Sequence, residues 1–467
     1  MPTPSIHSTA APTQTYFAAK ALLSSGWANN VLFTVKNGFF EHVQQEQQAN
    51  QNCIVLSGPV LPSIANLHSH AFQRVMAGAA EVSINPLDSF WSWRDLMYKV
   101  VQKLTPHEAR VIATQLYIDM LKAGYTQVGE FHYLHHGVGG KKYDEHGEMS
   151  NQIIAAANDS GIGLTLLPVL YSHSGFGGQT PHAGQARFIH STDSYLALYQ
   201  ACETKLANHR THKLGICFHS LRAVTTSQID IVLQELNANV PIHMHISEQQ
   251  KEVQDCVDYS GKRPVQWLHN EVGLSQRWCL VHATHLDDNE LAAITANGAV
   301  AGLCPTTEAN LGDGVFPAVD FEQANGRWGI GSDSQVSLSI VEELRTLEYG
   351  QRLRDQKRNR LYRTEQTSVG DNLYQQALLG GNQACDVSLG IAEGNRADFI
   401  VLDHLNPFIA ASKAKDVLNR WLFASNENLV RDVFVAGQQR IKDFQHAKEQ
   451  SSRLAFIQVI KKVMYDA

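Results

Sequence analysis

Two histidines two residues apart, His68 and His70, close the short apolar run PSIANLHSH. On an extended strand the side chains at i and i+2 share a face, so both imidazoles can reach one metal ion. Three further runs carry residues of the same kind. PIHMHISE holds His243 and His245 with Glu248 three residues on, CLVHATH holds His282 and His285, and GIGSDS holds Asp333. The seven cysteines are scattered with no C-x-x-C spacing, so a metal would have to be held by His and carboxylates. An isolated H-x-H says little, but the four runs together offer three His and an Asp, plus a free acid and a further His. Such a set suits Zn²⁺ with one coordination position left for water, and therefore hydrolytic chemistry.

For these residues to meet, the runs must end at one place. Eight β-rich runs alternate with helix-like stretches between about residues 63 and 335: SIANLHSH, TQVGEFHY, LTLLPVLY, LGICFHS, PIHMHIS, CLVHATH, AVAGLCP and WGIGSDS. One intervening helix shows its signals plainly. Thr105, Pro106 and Glu108 read as an N-cap, a first-turn proline and a capping box. Ala109, Val111, Ile112, Leu116, Met120 and Leu121 then recur at helical spacing until Gly124 stops the segment. Eight such units predict an α/β fold, a (β/α)8 TIM-type barrel with its chemistry at the C-terminal strand ends. An open doubly wound sheet is the alternative, and the eightfold count favours the barrel. Outside it, VLFTVK and FFEHVQ flank Asn37-Gly38 as a hairpin, and GNRADFIVLD and VRDVFVAGQQRI read as late strands around the helix-like AKDVLNRWLFA. The chain ends on the helical SSRLAFIQVIKKVM. The expected division is residues 1–62 as the N-terminal part of a small discontinuous β domain, 63–385 as the barrel, and 386–467 as the rest of the β domain with the terminal helix.

Composition narrows the function classes. The 467 residues are 43% hydrophobic and 18% charged, enough apolar material for a large core. A net charge of −7 argues against nucleic acid or an anionic membrane as a partner held by bulk charge. No apolar run approaches the roughly 20 residues of a membrane helix. The opening MPTPSIHSTAAPTQTYF lacks the pattern of a secretion signal, and free buried thiols are the reading for the cysteines, so a cytoplasmic location is expected. GVGGKK (137–142) and SGFGG (174–178) lack P-loop spacing and read as flexible loops, candidates for lids over the barrel mouth.

The elements PSIANLHSHAFQR, HMHISEQ, VHATHL and GIGSDSQ, in that order, resemble the amidohydrolase superfamily, and RADFIVLD resembles its return strand. The run after the fourth strand carries His219 and no Lys placed to become a carbamate between two metals, which favours a mononuclear site. The H-x-x-E of His245 and Glu248 resembles the branch that deaminates C=N compounds. Within it, HAFQR, DSFWSWRDLMY, GEFHYLHH and FHSLRAV are similar to members that act on N-formimino-L-glutamate, over nearly the whole chain. The resemblance implies one divalent metal ion, Zn²⁺ first, on His68, His70, His245 and Asp333. It further implies Glu248 and His282 as the catalytic pair, and Gln73, Arg94, Tyr133, His219 and Arg222 around a small dicarboxylate substrate. The expected reaction yields N-formyl-L-glutamate and ammonia in histidine breakdown, and relatives of this kind commonly form homodimers.

The residues suit that chemistry. A formimino carbon needs hydroxide at neutral pH, which a metal supplies by lowering the pKa of coordinated water toward 7. Asp333 can take the proton released, Glu248 can shuttle it to the imine nitrogen, and His282 can stabilise the tetrahedral centre or orient the nucleophile. Arg94 and Arg222 offer guanidinium groups for two carboxylates. A guanine deaminase-like ring aminohydrolase would use the same metal set, although a neutral ring needs no pair of arginines. A non-catalytic barrel relative would show gaps in the ligand set, and there are none. Plain structural readings also stand: a surface ion pair for Arg94, a loop charge for Arg222, a core aromatic for Tyr133 and a structural imidazole for His243. Loop solvation is expected for at least two of His132, His135 and His136, and His285 is expected to support His282 or face solvent.

Overall fold

The computed structural model describes residues 13–82 and 90–465. Residues 1–12 of the opening segment read for a secretion signal and Asp88-Ser89 of the DSFWSWRDLMY segment lie outside the described residues. Eight parallel strands follow the predicted runs: β1 (Ile64–Ser69), β2 (Tyr125–His132), β3 (Gly163–Leu170), β4 (Ile216–Phe218), β5 (Ile242–Ile246), β6 (Trp278–His282), β7 (Val300–Leu303) and β8 (Arg327–Ile330). They pair in sequence order from β1 to β8. The barrel closes where Asp333, beyond β8, bridges to Ser69 and donates its N–H to the His68 carbonyl at 3.0 Å. The chain therefore builds a (β/α)8 barrel, not the open sheet.

Every residue of β1, β2 and β3 is buried, as expected for parallel strands packed on both faces. One end of the barrel interior is plugged by the helix Val369–Cys385, whose Ala384 and Cys385 pack with Leu67, Cys279 and Val281. That helix lies so close to β8 that a Cβ on Gly380 would stand 1.9 Å from the Trp328 carbonyl, so only glycine fits there. The helix Pro106–Ala123 carries the expected ends: Thr105 and Glu108 form the capping box, and Gly124 terminates it at φ 103°. The terminal helix Glu449–Ile460 packs beside it, with ion pairs of 2.5 Å from Lys122 to Glu449 and from Lys462 to Glu108.

A second, largely antiparallel sheet combines segments from both parts of the chain. Val60–Pro62 pairs with Phe399–Leu402 on one side and Gln14–Leu23 on the other, then runs directly into β1. The predicted hairpin is present, with Asn37 and Gly38 both left-handed at φ 55° and 87°. The preceding strand, Gln14–Leu23, was not expected: its alanines carry little β propensity, and pairing with Gly26–Lys36 sets its conformation. Aromatic packing of Tyr16, Phe33, Phe399 and Phe434 fills this sheet's core. Arg396 joins the sheet to the barrel, gripping Asp398 with two nitrogens and reaching Gln127 of β2 at 2.9 Å.

Candidate active site

At the open end of the barrel, β1 delivers His68 and His70, β5 delivers His245, and the turn after β8 delivers Asp333. The Nε2 of His68 lies 3.1 Å from Nε2 of His70 and 3.0 Å from Nε2 of His245. Asp333 Oδ1 stands 3.4 Å and 3.3 Å from the first two. All four residues are buried. The far side of two rings settles their tautomers. Nδ1 of His70 meets the Phe131 carbonyl at 2.8 Å, and Nδ1 of His245 meets the His219 carbonyl at 3.1 Å. A carbonyl only accepts, so each Nδ1 carries the hydrogen and each Nε2 turns a lone pair inward. Burial reinforces this, pushing His68 down to about 3 and His245 well below the ordinary imidazole range. Crowded lone pairs beside a carboxylate repel one another unless a cation sits among them. The donor set fits a divalent ion that prefers imidazole and carboxylate, Zn²⁺ among them.

Beside this cluster stand Glu248, on the turn after β5, and His282, the last residue of β6. His282 Nε2 lies 3.7 Å from Glu248 Oε1 and 3.8 Å from Asp333 Oδ2, and its Nδ1 lies 3.3 Å from Glu308 Oε1. Burial pushes the Glu248 carboxyl up to about 7, which suits proton exchange near neutrality. Burial disfavours charge on His282, yet Glu248, Glu308 and Asp333 outweigh it and push the imidazolium up to about 10. The backbone here is strained. Ser247, His282, Ala283 and Asp333 are all left-handed at φ 53°, 67°, 49° and 46°, a conformation that packing must enforce on non-glycine residues.

The five residues expected around a substrate all line the pocket above this cluster. Gln73 donates to the Tyr133 hydroxyl at 2.9 Å. His219 directly follows β4, its ring 4.3 Å from that of Tyr171. Arg94, on the helix Phe90–Val101, lies over the Tyr98 ring at 5.6 Å. Arg222 sits in the pocket wall with its Nε sealed from solvent and without a hydrogen-bond partner. Burial opposes its charge, but nearby Glu252 and Tyr171 hold its pKa above the ordinary value.

Glu308, Asp313, Tyr98 and Tyr171 also belong to this neighbourhood and had no assigned role in the sequence. Glu308 follows β7, and the rule that strand ends carry chemistry could have found it. Asp313 accepts from Gln249, and burial together with Glu248 pushes it up to about 9. No comparable signal marks the two tyrosines.

The remaining histidines divide differently from expectation. His243 Nε2 donates to the Ala384 carbonyl, 2.7 Å away in the plugged end, so it is a structural imidazole. His132, His135 and His136 are buried, contrary to the expected loop solvation. The chain after β2 folds inward, and both His135 and His136 donate backbone N–H groups to the Arg187 carbonyl. Among the described residues they form no second group of metal donors. His285 is part-exposed and meets Gln250 at 2.9 Å, not His282. Neither 137–142 nor 174–178 lines the pocket. A larger groove of about 840 Å³ lies at the opposite end of the barrel, beside Pro241, Arg277 and Arg327 at the strand starts, and holds none of these residues. No described helix is long and apolar enough to cross a membrane.

A model of the amidohydrolase family matches residues 60–440. Over 96% of this chain and 99% of the relative, 56% of residues are identical to formimidoylglutamate deiminase from Pseudomonas aeruginosa. The crystal structure of an amidohydrolase from Brucella melitensis superposes with a TM-score of 0.93 at 44% identity, covering 97% of this chain and all of that one. A 5-methylthioadenosine/S-adenosylhomocysteine deaminase from Natronomonas pharaonis is more distant, 26% identical over 82% of this chain and 81% of its own.

Proposed function

The chain belongs to the amidohydrolase family, and from that membership we propose that it hydrolyses N-formimino-L-glutamate to N-formyl-L-glutamate and ammonia. The observation that carries this reading is the near-full-length likeness to the Pseudomonas aeruginosa deiminase. The ring deaminases are distant relatives, and two arginines in the pocket wall suit a dicarboxylate better than a neutral ring.

The residues that would hold the ion are His68, His70, His245 and Asp333. When bound, a divalent ion there makes water nucleophilic near neutral pH. Arg94 and Arg222 orient the substrate by its carboxylates and bring the formimino carbon toward the Glu248–His282 pair. Glu248 delivers a proton to the imine nitrogen as water adds to the carbon, then takes up the hydroxyl proton of the tetrahedral carbon and passes it to the departing nitrogen, so that C–N cleavage releases ammonia and leaves the formyl C=O; the proton held by Asp333 returns to Glu248 to complete the cycle. His282 Nε2 stabilises the charge that develops at the tetrahedral carbon's oxygen, and Asp333 takes up the proton shed by the attacking water. Gln73 and Tyr133, already hydrogen-bonded to each other, form a polar wall beside His70.

Zn²⁺ as the ion, a homodimer, a role in histidine breakdown and a cytoplasmic location are parts of the same proposal. Seven free cysteines, six of them buried, agree with a reducing compartment. The test is ammonia release from N-formimino-L-glutamate, guanine and S-adenosylhomocysteine by the metal-loaded protein. Turnover of the first alone supports the reading, and turnover of a ring substrate alone overturns it.

A further inference from the structure

We propose that Glu308 is a positioning residue for this reaction: it fixes the ring orientation of His282, so that Nε2 faces the space between Glu248 and Asp333. The inference rests on the formimino-hydrolase reading, and one arm of the experiment below is independent of substrate. Strands β6 and β7 are neighbours in the barrel, with Val281 opposite Gly302, so the turn after β7 lies beside His282. That turn leads into the helix Pro305–Leu311, from which the buried Glu308 points back. Glu308 Oε1 accepts the Cys304 N–H at 2.8 Å and lies 3.3 Å from His282 Nδ1. An oxygen already accepting one N–H acts as an acceptor toward the ring as well, so Nδ1 supplies the hydrogen of that contact. Nε2 is then the nitrogen free to hold or receive a proton, and it faces Glu248 and Asp333 at 3.7 Å and 3.8 Å.

Those two separations are longer than hydrogen bonds and leave the inner face of the ring open to a reacting group. Glu308 is the one hydrogen-bond partner of the His282 ring among the described residues. Without it, a half-turn of the ring about Cβ–Cγ would put Cδ2 in the place of Nδ1 and Cε1 in the place of Nε2, taking both nitrogens out of position. The arrangement follows the logic by which a buried carboxylate orients a catalytic imidazole and stabilises its protonated form. Glu308 is thus absent from the chemistry itself and acts through His282.

The test compares wild type, Glu308→Ala and Glu308→Gln as metal-loaded proteins. Loss of an orienting partner of this kind costs about 10- to 100-fold, so kcat of Glu308→Ala should fall by that factor with KM within about threefold. Glu308→Gln keeps a carbonyl oxygen able to accept from Cys304 and His282, and should recover part of the loss with metal content and Tm unchanged. Nitrogen-15 NMR of the histidine rings, with His282 assigned by its loss in His282→Gln, should show a hydrogen-bonded Nδ1–H in wild type and a shifted or exchange-broadened Nδ1–H signal in Glu308→Ala. An unchanged His282 Nδ1–H signal in Glu308→Ala overturns the proposal, as does kcat within twofold of wild type or a fall in kcat that only tracks lost metal. If wild type releases no ammonia from N-formimino-L-glutamate, the functional reading fails by itself, and the NMR arm still decides whether Glu308 holds the ring.

Discussion

Replacing Arg222 by Met keeps most of the side-chain length and removes the charge. In the free enzyme this guanidinium makes no hydrogen bond or ion pair with the described residues, and its Nε is shut away from solvent. Its buried Nε is unsatisfied in the free protein and gains a partner when a carboxylate binds. Truncating one member of a buried charge pair costs about 2–5 kcal/mol of binding. Arg222 is part-exposed, so the lower half of that range applies. About 2–3 kcal/mol corresponds to a rise in KM of roughly 30- to 150-fold. The carboxylate is not the reacting centre, so kcat should stay within about fivefold. Because the guanidinium makes no hydrogen bond or ion pair with the described residues, Tm should change little, which separates a binding defect from damage to the fold. The assay is ammonia release over a substrate series, run in parallel with a neutral N-alkylformamidine that lacks carboxylates. The dicarboxylate should lose its advantage while the neutral compound is unaffected. Unchanged KM, or an equal rise for both substrates, would refute the assignment of Arg222 to a carboxylate.

Glu248→Gln should keep its metal and lose roughly 100- to 10,000-fold in kcat, because only proton transfer is removed; a near-normal rate would exclude that role. Chelation should abolish ammonia release and lower Tm, since an ion present at a hundredfold excess over its Kd stabilises the fold by about 2.7 kcal/mol; calorimetry with and without Zn²⁺ measures both effects. Arg396→Met should destabilise by about 3–5 kcal/mol in urea unfolding, because the fully buried Asp398 would lose its bidentate partner. Burial pushes His212 down to about 4, below the ordinary 6.5. The unfolded chain therefore binds this proton first, and stability is full above about pH 6.5 and falls toward pH 4 by up to about 1.4 kcal/mol per pH unit. Urea midpoints at pH 7 and pH 5 should differ less in His212→Asn, and an equal difference would show that His212 does not contribute.

Much of the architecture was legible because its signals are local. Alternation placed His68 and His70 on one strand face, the Thr105–Glu108 box and Gly124 bounded a helix, and Asn37-Gly38 marked a hairpin, each through interactions within a few residues. Gln14–Leu23 was not legible, since its alanine-rich stretch becomes a strand by pairing with partners it does not encode. The burial of His132, His135 and His136 escaped for a related reason: polar residues between a strand and a Gly-rich stretch look like a solvated loop, and the carbonyls of Val169, Arg187 and Ile189 that meet His135 and His136 come from elsewhere in the chain. Glu308 follows a strand end and was open to the strand-end rule, but a lone Glu after CPTT has no spacing motif of its own, and its partner His282 stands on the neighbouring strand.

By itself, the sequence determined the inventory: eight strands, the residue types at their ends, and the two arginines that bias the pocket toward a dicarboxylate. The tertiary structure decided which of those residues meet and with which atoms. Alternation directs both His243 and His245 into the barrel, but two residues of extended chain separate them by about 6.6 Å along the axis. That distance puts one imidazole against the plugging helix and the other among the metal donors. Periodicity specifies a face, whereas height along the barrel, tautomer and hydrogen-bond partner depend on strand register and on groups hundreds of residues away.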